Sequence, residues 1–150
     1  MASWRRSLSA GLGNAGSGMA VSGECKNKFL ELQRKKAYRY LIFKIDDATN
    51  EVVVEKTGAP AESYDDFAAC LPESDCRYAV FDFDFVTEDL CQKSKIFFIA
   101  WSPDLSRVKN KMIYASSKDR IRRELDGIHY EVQATDPTEM DIEVIRDRAN

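Results

Sequence analysis

The chain has 150 residues, 44% hydrophobic and 31% charged, with a net charge of -3. That length suits one domain whose core needs neither metal nor disulfide, and the longest apolar run, IFFIAW (Ile96 to Trp101), is strand length, far short of the roughly 18 to 20 residues of a membrane-spanning helix. The N-terminal segment lacks the apolar stretch of a secretory signal.

Residues 1–18, MASWRRSLSAGLGNAGSG, are rich in Gly, Ala and Ser and read as a flexible extension ahead of a domain spanning 19–150. GLGNAG (Gly11 to Gly16) matches a dinucleotide fingerprint in letters only, because no buried strand feeds it. With Arg5 and Arg6, no acid before Glu24, and Trp4, Leu8 and Leu12 four apart, the segment has some features of an organelle transit peptide. Gly11 and Gly13 would interrupt the helix such a peptide forms, so import is the minor alternative.

Ser22 can cap a helix to about Lys36, with Cys25, Phe29 and Leu32 on one face. YRYLIFKI (Tyr38 to Ile45) and EVVVEKT (Glu51 to Thr57) flank the turn-prone DDATN and predict a hairpin. Ser63 opens a short helix through Phe67 to Cys70. In CRYAVFDFDFV (Cys76 to Val86), Ala79, Phe81, Phe83 and Phe85 face one way, and Tyr78, Val80, Asp82 and Asp84 the other. KIFFIAW (Lys95 to Trp101) is apolar on both faces, as a central strand should be. A basic helical segment, RVKNKMIYASSKDRIRRELDG (107–127), follows, with a kink or a second helix expected at Ser116 and Ser117. IHYEVQA (Ile128 to Ala134) reads as a last strand. DPTEMDIEVIRDRAN reads as a last helix, with Asp136 as N-cap, Pro137 at its first position and Glu139 closing a capping box. The sum is one α/β (α+β type) domain, a central mixed sheet of about five strands sandwiched by helices.

Charge is segregated. Residues 24–44 hold seven bases against two acids, residues 46–89 thirteen acids against two bases, and residues 104–124 seven bases against three acids. Such a surface steers a charged partner, while the acidic middle would repel nucleic acid. Cys25, Cys70, Cys76 and Cys91 form no CxxC pair and His129 is the sole histidine, which argues for reduced thiols and against a zinc site. Asp82 and Asp84 are better read as solvated carboxylates or partners of the basic helices than as an acid/base or metal pair. No GxSxG, Walker A or HExxH motif occurs, so an enzyme is not expected.

In the basic segment Leu105, Val108, Met112 and Ala115 share one helical side, flanked by Lys109 and Lys111, while Ile113 and Tyr114 lie elsewhere. One apolar side can pack on the sheet. The other either meets a second element of the domain or, left exposed beside the lysines, suits a partner with an apolar cleft and an acidic rim.

WSPDLSRVKNKMIYASSKDRIRREL closely resembles the signature of the actin-depolymerizing factor/cofilin family, its plant members especially, as do SGMAV, SDCRYAVFDFDF, KSKIFFIAW and QATDPTEM. The resemblance runs from Ser17 to Asn150. It implies a cytoplasmic, monomeric, cofactor-free protein of the actin cytoskeleton, with the nucleus as an alternative location, that binds actin monomers and filaments, severs filaments and promotes depolymerisation. Lys109, Lys111 and Met112 then match the long-helix contact with actin, and Ser17 and Met19 the N-terminal one. Lys93, Lys95, Asp147 and Arg148 match the filament-specific patch, and phosphoinositide headgroups would compete for the basic residues. Ser17 matches the regulatory phosphorylation site, where about -1.5 to -2 added charges would oppose an acidic partner. Sixteen residues precede Ser17, a departure that supports an alternative, a filament binder or bundler with weak severing. His129, whose ordinary pKa is near neutrality, is the expected pH sensor.

Overall fold

The computed structural model describes residues 19–149. In chain order its elements are β1 (Ala20–Val21), α1 (Gly23–Lys35), β2 (Tyr40–Asp46), β3 (Glu51–Gly58), α2 (Tyr64–Ala69) and β4 (Arg77–Val86). There follow β5 (Gln92–Trp101), α3 (Val108–Arg122), β6 (Tyr130–Ala134), a 3-10 turn (Pro137–Met140) and α4 (Ile142–Ala149).

The six strands form one sheet in the order β1-β3-β2-β4-β5-β6. The inner pairings are antiparallel, and both edges, β1 on β3 and β6 on β5, are parallel. Because side chains alternate along a strand, the sheet has two apolar faces. Tyr78, Val80, Ile96 and Phe98 meet α1 and α3 through Phe29, Leu32, Tyr114 and Ile121. Ala79, Phe81, Phe97 and Ile99 meet α2 and α4 through Phe67 and Ile145. The predicted faces of β4 and of α1 are those observed.

Local signals explain most boundaries. Ser22 caps α1 by accepting Glu24 N–H, and Ser63 with Asp66 makes a reciprocal capping box on α2. Gly58 is required by contact: a Cβ there would lie 2.1 Å from the Tyr40 ring. That ring cannot yield, since it packs on Phe67 and its hydroxyl donates to Glu62 at 2.7 Å.

Four expectations change. The sheet has a sixth strand, β1, too short for periodicity to reveal. Helix α3 runs unbroken through the two serines: Ser116 Oγ donates back to Ile113 O at 3.1 Å and Ser117 is buried against the sheet, so packing overrides their weak propensity. The last helix is divided, because Asp141 takes an extended ψ of 149° and its carboxylate caps α4 through Glu143 N–H at 3.0 Å. Asp136 does cap the preceding 3-10 turn, but Glu139 accepts from Thr135 N–H at 2.8 Å, one residue before the expected partner.

Candidate functional site

Helix α3 has two different sides. Inward, Tyr114, Ser117 and Ile121 are buried. The Tyr114 hydroxyl accepts Ile45 N–H at 2.9 Å, and the Tyr78 hydroxyl donates to the Tyr114 carbonyl. These bonds hold the helix to β2 and β4, and burial pushes the Tyr114 phenol up to about 12, so it stays neutral. The first turn is pinned by Asn110, which donates to Asp75 at 2.8 Å, while Asp75 also binds Arg77 at 2.7 Å.

Outward, Leu105, Val108 and Met112 are 74%, 71% and 66% exposed. Each forgoes roughly 1.5–3 kcal/mol that burial would return, so packing of the domain does not explain the stripe. Lys109 is exposed beside it; Lys111 is half-buried, its Nζ donating to Asp104 O at 3.0 Å. Arg107 at the N-cap offers no side-chain acceptor and the first turn holds no acid. The positive end of the helix dipole therefore adds to the lysines.

A second exposed apolar pair, Val86 at 58% and Leu90 at 84%, sits at the tip of the β4–β5 hairpin. Lys93, Lys95 and Ala149 line the concavity beside Val86, which brings the hairpin to the end of α4, where Asp147 and Arg148 are exposed. Arg148 donates to the Glu131 carbonyl at 3.3 Å. Val86 and Leu90 escape a periodicity reading, since one ends a strand and the other sits in a turn; two isolated apolar residues around the acidic TED were the available signal. The two clusters lie at opposite ends of β5, whose ten residues span about 30 Å at ~3.3 Å each.

Other candidate residues have different settings. Met19 is 5% exposed and packs in the core with α1 and α3. Its side chain anchors the chain entry rather than offering a contact surface, because β1 is stitched to β3 beside it. Ser17, Trp4, Arg5, Arg6 and the GLGNAG motif lie outside the described residues. Asp82 is not solvated: it is 2% exposed and bound by Lys36 at 2.7 Å, while Asp84 is bound by Arg39 at 2.8 Å. Both carboxylates are thus tied to the segment that follows α1. All four cysteines are free thiols; burial pushes Cys25 up to about 12, which leaves it unreactive. His129 has its pKa lowered, by partial burial first and then by Lys95 and Lys36. Its charge change therefore falls on the acid side of its ordinary range.

The family model described as cofilin/tropomyosin-type actin-binding protein matches residues 18–150. An actin-depolymerizing factor of Vitis vinifera is 72% identical over 137 residues, 91% of this chain and 96% of its own length. Actin-depolymerizing factor 6 of Arabidopsis thaliana is 67% identical over 137 residues, 91% and 94% of the two chains. Among solved structures, the cofilin of Streptomyces griseoflavus superposes with a TM-score of 0.82 at 38% identity, covering 89% of this chain and 98% of its own.

Proposed function

The chain belongs to the cofilin/tropomyosin-type actin-binding family, and from that premise we propose that it binds actin monomers and filaments, severs filaments and speeds their depolymerisation. The observation that carries this reading is the outward stripe of α3, Val108 and Met112 exposed between Lys109 and Lys111. Lysines suit encounter with an acidic partner, and a desolvated Met suits residence in a cleft. The second cluster, Val86 and Leu90 with Lys93, Lys95, Asp147 and Arg148, would meet a neighbouring subunit of the filament. Its place at the other end of β5 from the start of α3, a strand about 30 Å long, supports a bridging role.

On this reading the protein works in the cytoplasm, on the actin cytoskeleton, as a monomeric binding protein, not an enzyme; the nucleus is an alternative location. The actin-binding domain runs over 19–150 behind the extension 1–18. Phosphoinositide headgroups compete for its lysines, and a phosphate on Ser17 opposes actin binding.

The test is filament length and pelletable actin with the full chain and with Lys109→Ala/Lys111→Ala. Shortening by the full chain and none by the variant is expected. Binding without shortening by the full chain would instead favour the bundling reading, for which Arg5 and Arg6 supply a second basic contact.

A further inference from the structure

On the α2 side of the sheet, beyond the ends of β5 and β6, lies a groove of about 540 Å³. Its floor is apolar, with Leu71, Trp101, Met140 and Ile142. Its rim carries five carboxylates, Asp65, Glu73, Asp104, Asp136 and Asp141, and no lysine or arginine among the described residues lines it. This sign is opposite to that of α3, although Leu105 of the outward stripe also lines the groove, so the rim suits a basic occupant rather than the acidic partner proposed for that helix.

The occupant must be basic and carry at least one large apolar group. Residues 1–18 have that chemistry: Arg5 and Arg6, no acid, and Trp4 beside the arginines. A tryptophan brings a large apolar area on a rigid ring, suited to a floor of this size. Arginine presents a planar fork to carboxylates. Reach is not limiting. The thirteen steps from Arg6 to Met19 span up to about 45 Å when extended, against a radius of gyration of about 14 Å for a domain of this length. Tethering also supplies a local concentration in the millimolar range.

We infer that this groove is a docking site for the chain's own N-terminal segment, with Trp4 on the apolar floor and Arg5 and Arg6 on the carboxylate rim.

The test uses the full chain and no actin, so it stands apart from the function proposed above. Fluorotryptophan labelling yields fluorine NMR signals from the two tryptophans, Trp4 and Trp101, assigned with Trp4→Phe. Glu73 and Asp104 are exposed, so Glu73→Lys/Asp104→Lys leaves the fold intact. This pair of changes, or high salt, should move the Trp4 signal to its position in a free peptide of residues 1–17. Arg5→Glu/Arg6→Glu should shift the Trp101 signal, and combining all four changes should restore both signals. A Trp4 signal in the unaltered chain that already matches the free peptide overturns the proposal and leaves the groove to a basic segment of another protein. Signals that change with protein concentration overturn it in favour of a second copy.

Discussion

The ring of His129 accepts the Ile96 N–H through Nδ1 at 2.8 Å, while the His129 N–H donates to the Ile96 carbonyl at 2.9 Å. The side chain thus adds a rung to the parallel β5–β6 ladder, which begins at Phe97 and Tyr130. A ring that accepts at Nδ1 must be neutral there, and protonation would turn an acceptor into a donor aimed at another donor.

Stability should therefore depend on pH through this bond. The folded pKa lies below the ordinary 6.5, so the unfolded chain binds more protons wherever the two states differ, and stability rises with pH there. The contribution is complete above about 6.5 and is lost as pH falls through the folded value. Glu131, also lowered because Lys118 and Arg122 outweigh its burial, acts in the same direction below 4.5. In His129→Asn, which keeps an acceptor but no titrating proton, the denaturant midpoint should fall less between pH 7 and pH 5. An unchanged slope would rule out the histidine as its source.

The two sides of α3 should separate binding from folding. Met112→Asp, at a position 66% exposed, should change stability by no more than about 0.5 kcal/mol and weaken actin binding at least about tenfold, or 1.4 kcal/mol. Tyr114→Phe should instead strand the Ile45 N–H and cost about 1–3 kcal/mol. Co-sedimentation beside thermal melts reads both, and a melt unaffected by Tyr114→Phe would contradict the assignment of its hydroxyl.

Val86→Ser/Leu90→Ser tests the hairpin cluster. If it meets only a second subunit, filament binding should drop while monomer affinity holds. Equal losses in pelleting and in monomer titration would merge the two surfaces into one.

Ser117 Oγ is buried with no hydrogen-bond partner among the described residues. Ser117→Ala should accordingly be neutral or stabilising by up to about 1 kcal/mol, since it removes an unpaired polar atom. A destabilised variant in urea melts would reveal a bond to an ordered water.

Lys36 is the ion-pair partner of the buried Asp82 carboxylate, whose Oδ1 has no hydrogen-bond partner among the described residues. Lys36→Met should cost about 1–3 kcal/mol, as it leaves that charge without its counter-ion. Adding Asp82→Asn should recover most of the loss. A double variant no more stable than the single would place the cost in lost packing by the lysine stem instead.

Much of the fold was legible before the structure because its signals are local. Alternation in β4 sorted Tyr78 and Val80 from Phe81 and Phe83 correctly, and Ser22, Ser63 and Asp136 each cap the element they precede. That α3 has a second apolar side to account for was legible for a related reason: a helix with apolar residues on two sides can turn only one of them to the sheet. Whether the side flanked by the lysines stayed out or met a second element was not legible. It depends on Tyr114 reaching Ile45 and Tyr78, contacts between residues 36 to 69 positions apart.

By themselves, then, the residues determined strand faces, caps, the basic helix and the family resemblance, all of which rest on short-range periodicity and motif. Tertiary structure alone decided that Met19 is buried, that Asp82 pairs with Lys36, that His129 completes a ladder, and that Val86 and Leu90 stand exposed beside α4. It also gathered five carboxylates around one groove. Each of these depends on which distant segments the sheet order places side by side, and strand order is set by packing over the whole chain rather than by any window of sequence.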